Sequence, residues 1–134
     1  MVDLTSFQNN FNDTLRECVL SIEEEYGHFV FDIQSNAIVD VVTFLRSKKG
    51  FSFTTLIDIT AIDFPAREKR FEIVYHLLSM TENKRCKIVI SVSDQETVNS
   101  VTPVFECANW FEREIFDLFG ITFSSHPDLR RILT

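Results

Sequence analysis

The sequence predicts an α+β fold in a single domain covering residues 1–134, with a mixed or antiparallel sheet of about four strands and helices packed on it. The first supporting observation is the length, because 134 residues ordinarily form one domain with a sizeable core. The second is the hydrophobic periodicity, which changes between helical and strand spacing along the chain. The third is the short polar link between successive later strands, which favours antiparallel neighbours. These observations predict the element order α-β-α-β-β-β-α-α.

The chain is predicted to begin with a long helix and a strand. Ser6 is a suitable N-cap for this helix, and Gly27 is a suitable terminator. The apolar residues of the helix recur every three or four positions, at Phe7, Phe11, Leu15, Val19, Ile22 and Tyr26. The strand covers residues 28–33, where apolar side chains alternate in the order expected of one face: Phe29, Phe31 and Ile33.

A second helix and three further strands follow. The helix presents Ile38, Val41, Val42 and Leu45 on one face, with Lys48 and Lys49 in its last turn and Gly50 just beyond it. Alternating patterns predict strands over residues 53–63, 71–79 and 86–92. Ser93 and Glu96 have the spacing of a capping box, which predicts a short helix through Val98 and Val101 that Pro103 ends.

Composition and charge argue against several classes of function. A formal net charge of −7 disfavours a nucleic-acid module, which would carry a basic stripe, and disfavours attachment to anionic lipid. The three cysteines, Cys18, Cys86 and Cys107, lie far apart without C-x-x-C spacing, so free buried thiols are expected rather than a zinc or iron–sulfur site. With only 3 glycines, the sequence has no dinucleotide or phosphate-binding loop. No signal-peptide pattern and no uncharged apolar run near ~18 residues is present.

The stretch 107–120 is predicted to be the helix around which the chain is organised. Asn109 is a suitable N-cap, and Glu112 three residues later can reach back as in a capping box. Arg113 and Asp117 are four apart and can pair across one turn. Gly120 can close the helix in a left-handed conformation. The predicted apolar stripe consists of Phe111, Ile115, Leu118 and Phe119.

Two interpretations fit the charges of this helix and of the residues after it. In the first, Arg130 or Arg131 folds back onto an acidic side chain of the helix, namely Glu112, Glu114 or Asp117. The C-terminal segment is then clamped to its own domain. In the second, some of these charges face a partner protein. Residue types alone favour the first interpretation, because exposed charges are usually solvated or paired within the chain.

Two runs of the sequence resemble a known family. Residues 112–133 read Glu-Arg-Glu-x-x-Asp-Leu-Phe-Gly-Ile-x-Phe-x-x-His-Pro-Asp-Leu-Arg-Arg-Ile-Leu. Upstream, residues 67–79 read Arg-x-x-Arg-Phe-Glu-Ile-Val-Tyr-His-Leu-Leu-Ser, preceded by Asp58, Asp63 and Pro65. Both runs are similar to the thirty-kilodalton subunit family of respiratory NADH:quinone oxidoreductase (complex I), whose bacterial members are known as the C subunit. The resemblance is specific because the C-terminal run is long, ordered and chemically unusual.

The resemblance implies a structural and assembly subunit of the peripheral arm of a proton-translocating NADH:quinone oxidoreductase, without catalytic residues of its own. The implied partners are the quinone-site subunit of forty-nine kilodaltons and the subunit that holds the terminal iron–sulfur cluster. FMN, iron–sulfur clusters, NADH and quinone would be bound by other subunits, and no cofactor or metal by this chain. The complex would hold the chain peripherally at the cytoplasmic face of the bacterial inner membrane, or on the mitochondrial matrix side.

The resemblance also places the expected partner interface. We expect a C-terminal docking segment, from about residue 121, to leave the domain and bind the forty-nine-kilodalton quinone-site subunit while the helix fixes it in place. Family members usually continue past Arg-Arg-Ile-Leu, whereas this sequence ends at Thr134, as either a naturally short or a truncated form would. The residues that match the family motif and would form the interface are Glu112, Arg113, Glu114, Asp117, His126, Pro127, Asp128, Arg130 and Arg131.

Two other functions remain open from the sequence. The first is the equivalent subunit of a related membrane-bound hydrogenase-type complex. The second is a stand-alone hydrolase or metal enzyme built on Glu112, Asp117 and His126, since carboxylates with a histidine can transfer protons or hold a metal. Against this, Glu112 and Glu114 point about 200° apart on a helix, so they do not form a dyad.

The remaining polar and aromatic residues of note are expected to have structural roles. His28 and His76 lie in strand patterns and are expected to pack or to line a sheet edge rather than to bind a ligand. Trp110 is expected to be a core or interface anchor. A local charge cluster that holds the hairpin is predicted from Asp58, Asp63, Arg67 and Arg70.

Overall fold

The structure is a computed structural model that describes residues 7, 11, 13–26 and 28–124. Its elements, in chain order, are α1 (Asp13–Cys18), β1 (Val19–Glu25), β2 (His28–Ile33), a 3-10 turn (Ser35–Ala37), α2 (Ile38–Ser47), β3 (Thr55–Asp63), β4 (Phe71–Ser79), β5 (Lys84–Val92), β6 (Thr97–Asn99), α3 (Ala108–Phe119) and β7 (Thr122–Ser124). None of the helices within the described ranges is both long enough and apolar enough to cross a membrane.

The sheet is mixed, and its strand order is β1-β2-β5-β4-β3. Strands β3, β4 and β5 form the predicted antiparallel meander, whereas β2 pairs parallel with β5. Because β3 and β5 both run antiparallel to β4, β3 has the direction of β2. α2 therefore connects two parallel strands, β2 next to β5 and β3 at the edge of the sheet. The predicted α+β class and mixed sheet are confirmed, with five strands in this sheet rather than four.

The first predicted helix is wrong in its second half, where the chain forms strand β1. Val19 and Ile22 are three residues apart, which fits a helix, but a register shift between Val19 and Ser21 also fits this spacing to a strand. The shift inserts Leu20 as an extra residue, so Val19 and Ile22 return to the same side of the sheet. Glu25 of β1 pairs with His28 of β2, and Tyr26, with φ of 54°, lies in the turn between the two strands.

The short helix predicted after Ser93 is also wrong, because Thr97–Asn99 is strand β6. The Ser93 N–H does donate to Glu96 Oε1 at 3.1 Å, as in a capping box. However, the Glu96 N–H donates to the Ser93 carbonyl at 3.2 Å, which closes a tight turn. Lys69 and the Ser35 hydroxyl also bind the Glu96 carboxylate, so tertiary contacts hold this turn and the chain leaves it extended. β6 then pairs parallel with β7.

The ends of the two longer helices differ slightly from the predicted ones. α2 ends at Ser47, and Lys48 is extended, so Lys48 and Lys49 follow the helix instead of lying in its last turn. α3 begins at Ala108 after Cys107, so Asn109 lies inside the helix and is not its N-cap. Gly120 closes α3 as predicted, with φ of 73°, and its N–H donates to the Phe116 carbonyl at 2.8 Å.

The hydrophobic core lies between one face of the five-stranded sheet and the helices. Phe7 stands at its centre, with ring centroids 4.8 Å from Phe29, 4.9 Å from Phe31 and 4.7 Å from Phe51. Such edge-to-face and tilted pairs add to the stability that burial supplies. The abundant phenylalanines therefore pack mainly against one another in the core.

The second face of the sheet carries no helix in the described part of the chain. On this second face, Val74 is buried without being part of the main core, and the other side chains are half-buried or exposed. We call this surface the open face, and its members used here are His28, Val30, Asp58, His76, Arg85 and Lys87.

Candidate functional site

Helix α3 is the element that positions the family-like charged residues. Its buried side is formed by Ala108, Glu112 and Ile115, which recur at the helical spacing of four and three residues. Leu118 was predicted to belong to the apolar stripe, but its side chain is 75% exposed. The other three predicted residues, Phe111, Ile115 and Phe119, do pack against the core, so the stripe is wrong only at Leu118.

Glu112 is fully buried and is hydrogen-bonded to the turn that precedes the helix. The Ser100 hydroxyl donates to its Oε1 at 2.6 Å, and the Val101 N–H donates to its Oε2 at 2.9 Å. Burial raises the pKa of Glu112 to about 7, although the hydrogen bonds from Ser100 and Val101 act to lower it. Glu112 therefore ties α3 to the turn at residues 100–101, and it does not offer its carboxylate to a partner surface.

The opposite side of α3 is exposed and combines charge with large apolar groups. Trp110 is 59% exposed and Leu118 is 75% exposed, while Glu114 and Asp117 are also exposed. The exposure of Trp110 excludes the predicted core role, and its alternative role as an interface anchor stays a prediction. We call this surface, formed by Trp110, Arg113, Glu114, Asp117 and Leu118, the α3 face.

Arg113 does not make the predicted pair with Asp117, since no ion pair between them occurs in the described structure. Its guanidinium carbon instead lies 5.5 Å from the centre of the Trp110 ring. Arg113 Nε is buried and has no hydrogen-bond partner among the residues that the structure describes. A buried donor without a partner is costly. The guanidinium of Arg113 is thus held beside the Trp110 ring and not by a carboxylate of α3 in the described structure.

The C-terminal segment is described only at its beginning. Ile121 and Phe123 are buried, and β7 pairs with β6, so residues 121–124 pack within the domain. The predicted interface residues His126, Pro127, Asp128, Arg130 and Arg131 lie outside the described residues. The same holds for the predicted folding back of Arg130 or Arg131 onto the helix.

The charge cluster predicted near the β3–β4 hairpin is present in part. The Arg70 guanidinium donates to both Asp63 carboxylate oxygens, at 2.7 and 2.9 Å, and these hydrogen bonds lower the pKa of Asp63. Arg67 pairs with Glu72 at 2.5 Å. Asp58 does not join this cluster: its Oδ1 lies 2.5 Å from His76 Nδ1, on the open face.

The side chains that could hold a metal are dispersed over the described part of the chain. No group of three metal-binding side chains comes together within the described ranges. The prediction of buried thiols holds for Cys86 but is wrong for Cys107, which is exposed just before α3, and for half-buried Cys18. Glu112 is buried while Asp117 is exposed, so the two carboxylates do not share a site.

Sequence reasoning missed the hydroxyl and amide partners of Glu112. Ser100 and Val101 lie in a stretch whose helical prediction was wrong, so their proximity to α3 was not foreseeable. The one available signal was the helical spacing of Ala108, Glu112 and Ile115, which places Glu112 on the same side as two apolar residues. A carboxylate in that position predicts a buried, hydrogen-bonded side chain.

Comparisons with known proteins agree on one family. Residues 31–134 match the family model described as "Respiratory-chain NADH dehydrogenase, 30 Kd subunit". The chain is 51% identical over 118 residues to the C subunit of NADH-quinone oxidoreductase from Ruegeria pomeroyi, covering 88% of this chain and 59% of that protein. It is 47% identical over 121 residues to the C subunit from Parvibaculum lavamentivorans, covering 90% and 60%. The chain thus spans about three fifths of the length of these relatives.

Two solved structures share the fold. A trypsin-resistant fragment of Nqo5 superposes with a TM-score of 0.70 at 29% identity, covering 81% of this chain and 89% of that one. A chain of the membrane-bound sulfane sulfur reductase, an archaeal respiratory membrane complex, superposes with a TM-score of 0.73 at 21% identity, covering 81% and 64%, which shows a likeness of fold alone. On the match over residues 31–134 and the identity to the C-subunit relatives, the chain belongs to the family of the thirty-kilodalton subunit of respiratory-chain NADH dehydrogenase.

Proposed function

We propose that this chain is a non-catalytic structural subunit of the peripheral arm of a proton-translocating NADH:quinone oxidoreductase, and that it docks on the forty-nine-kilodalton quinone-site subunit. The observation that carries the proposal is the α3 face. Trp110 and Leu118 expose large apolar area, and the guanidinium carbon of Arg113 lies 5.5 Å from the centre of the Trp110 ring. Exposed aromatic and aliphatic side chains next to an arginine are typical of the centre of a protein interface.

The family supports this proposal because its curated relatives are named as subunits of an oxidoreductase complex. Within such a complex, this chain contributes surface rather than redox chemistry. FMN, iron–sulfur clusters, NADH and quinone are bound by the other subunits. The chain is held peripherally, at the cytoplasmic face of the membrane, through its contacts with the quinone-site and terminal-cluster subunits.

The buried Glu112 supports docking without contacting the partner protein itself. Its bonds to Ser100 and Val101 fix the rotation of α3 about its axis. The rotation then determines that Trp110, Glu114 and Leu118 face outward. Residues 126–131 extend the same interface in this proposal, with Arg130 and Arg131 gripping carboxylates of the partner.

The experiment is co-purification of a tagged chain carrying Trp110→Ala and Leu118→Ser, expressed in place of the native chain. We expect roughly a tenfold or greater loss of the quinone-site subunit from the purified material, because truncating interface anchors typically costs ~2 kcal/mol or more each. Leu20→Ser is the control, since Leu20 is also exposed, at 62%, but lies on β1. Circular dichroism melting checks that all variants fold.

Unchanged recovery of the quinone-site subunit with the Trp110 and Leu118 variant would contradict docking through the α3 face. A second variant, Arg130→Ala with Arg131→Ala, tests the C-terminal part of the interface separately. If only this variant loses the partner, the interface lies in residues 126–131 alone and the role of α3 is limited to support.

A second candidate function is the equivalent subunit in a related membrane-bound respiratory complex. The observation that favours it is the fold shared with a chain of the archaeal sulfane sulfur reductase complex. The proteins recovered with the tagged chain distinguish the two candidates. NADH-oxidising flavoprotein subunits among them support the main proposal, and hydrogenase-like subunits in their place support the alternative.

A further inference from the structure

We propose that the open face of the sheet is a second docking surface, which binds an acidic segment of another protein subunit. This inference goes beyond docking through α3, because the open face is the side of the sheet away from the helices. A subunit with two such surfaces bridges two neighbours instead of capping one. The proposal rests on the shape of the face, on its charge and on the apolar groups at its rim.

The shape is a cleft that runs across the central strands. Register places Val30 beside Lys87 and Lys87 beside His76, so β2, β5 and β4 contribute neighbouring side chains. His76 in turn lies beside Asp58 on β3. These residues line a cleft of about 470 Å³. The volume is enough for a few side chains of a partner segment.

A second cleft of about 460 Å³ continues the first to the end of the sheet where two hairpins turn. Tyr26 and His28 line both clefts, as does Arg85. The two clefts therefore form one continuous concave surface. Its length, from β3 to the hairpin tips, suits an extended segment rather than a single small ion.

The charge of this surface is opposite to that of the whole chain. The chain has a formal net charge of −7, yet Lys84, Arg85 and Lys87 are grouped within four residues at the clefts. None of these three cations forms an ion pair with another described residue. Two acids, Glu25 and Asp58, line the first cleft as well, so that three cations stand against two carboxylates over both clefts. Asp58 is already hydrogen-bonded to His76 at 2.5 Å. Complementarity therefore favours a partner with carboxylates.

Apolar anchors stand at the rim of the clefts. Tyr26 is 96% exposed and Met80 is 74% exposed, and both lie at hairpin turns that line the second cleft. Tyr26 is held there in a left-handed turn conformation, with φ of 54°. A tyrosine and a methionine give a large contact area and adapt to the shape of a partner. The occupant is thus a protein segment in which Asp or Glu residues flank an apolar side chain.

A second copy of this chain is the competing occupant, because the end of β1 is acidic from Glu23 to Glu25. The two occupants give different cross-links. A water-soluble carbodiimide joins a lysine amine directly to a carboxylate in contact with it, without a spacer. Applied to the purified complex that contains this chain, it reports which carboxylates lie against Lys84 and Lys87.

The proposal predicts cross-links from Lys84 or Lys87 to Asp or Glu residues of a different polypeptide, identified by mass spectrometry. It also predicts that both amines are acetylated at least about fivefold more slowly in the complex than in the isolated chain, because an interface excludes the reagent. Lys49, which is exposed after α2, is the internal reference for the reagent. Cross-links only to a second copy, or equal acetylation in both states, would overturn the proposal.

Charge reversal gives a second, independent measurement. Arg85→Glu with Lys87→Glu should lower incorporation of the chain into the complex roughly tenfold, because like charges across an interface are strongly unfavourable. Lys48→Glu with Lys49→Glu changes the net charge equally at exposed positions away from the clefts and should have little effect. Equal incorporation of both variants would also overturn the proposal. A wild-type chain that enters no complex would contradict the proposed function, on which this inference rests.

Discussion

The buried carboxylate of Glu112 gives the sharpest prediction, because it can be replaced without changing the shape of the side chain. In Glu112→Gln, the amide oxygen can accept from the Val101 N–H while the amide nitrogen donates to the Ser100 hydroxyl. Ser100 can then donate to the Thr102 hydroxyl, which lies 2.8 Å away. We therefore expect the glutamine variant to fold with its hydrogen bonds made.

The charge of Glu112 makes the stability of the wild type depend on pH in a direction opposite to most carboxylates. Its pKa rises from 4.5 to about 7 on folding. Below pH 4.5 both states are protonated and no penalty exists. Between pH 4.5 and 7 the unfolded chain releases a proton that the folded chain retains, so the free energy of unfolding falls as the pH rises. Above pH 7 the accumulated penalty is about 3 kcal/mol, at about 1.4 kcal/mol for each pH unit.

The assay is urea unfolding of the wild type and Glu112→Gln between pH 4.5 and 8.5, monitored by the fluorescence of Trp110. The glutamine variant lacks the ionisable group, so its stability relative to the wild type should increase by about 3 kcal/mol across this range. Glu112→Ala is the contrast, because it leaves the Val101 N–H without its acceptor and opens a cavity, and should cost about 3 kcal/mol or more at pH 4.5, where the wild type has almost no ionisation penalty. Parallel pH profiles for the wild type and the glutamine variant would refute the assignment of Glu112 as a buried, proton-retaining group.

Three further predictions concern other parts of the fold. Arg70→Ala removes the bidentate partner that lowers the pKa of Asp63, so the variant should be less stable than the wild type at pH 7. In thermal melts, this difference in stability should shrink as the pH falls through 3.8 and below, and a difference that stays constant would contradict the prediction. Gly120→Ala should lower the free energy of unfolding, measured by chemical unfolding, by roughly 1–2 kcal/mol. The cost comes from the left-handed backbone alone, since no atom lies within 4 Å of an added Cβ. Iodoacetamide should label exposed Cys107 in the folded protein but Cys86 only after unfolding, because Cys86 is buried and burial also raises the pKa of its thiol. Peptide mapping after a short pulse measures the labelling at each cysteine, and faster labelling of Cys86 than of Cys107 would contradict the prediction.

The sequence predicted best where each element has one clear period. Phe71, Ile73, Tyr75 and Leu77 alternate without interruption, and the strand they predicted has the bounds Phe71–Ser79 that the structure gives. The second strand, His28–Ile33, was predicted equally well from its alternating phenylalanines. In both strands one face is fully buried, so burial and local preference favour the same structure.

The sequence predicted poorly where a non-local contact decides between two local patterns. The extra residue at Leu20 gives β1 a helix-like spacing, and only pairing with β2 makes it a strand. Likewise, β6 needs β7, which lies more than twenty residues further along the chain. Pairing across such distances leaves no signal in a short sequence window.

The candidate site was predicted in part. The resemblance of residues 112–133 located the helix that carries the charged residues, and the exposure of Glu114 and Asp117 agrees with an interface. It could not separate Glu112, which is buried, from its exposed neighbours. That difference depends on the position of Ser100 and Val101, whose turn was predicted as a helix. Trp110 and Leu118 were likewise visible as apolar residues, but their exposure follows from the rotation of α3.

The most direct test of the central claim is affinity purification of the tagged chain from its own cells, with quantitative mass spectrometry and metal and flavin analysis. We expect the forty-nine-kilodalton quinone-site subunit to be recovered in equal amount with the chain, together with the other peripheral-arm subunits. We also expect that the chain, once separated from them, carries no flavin, iron–sulfur cluster or metal. Recovery of the chain alone, with a cofactor bound only by its own side chains, would contradict the account.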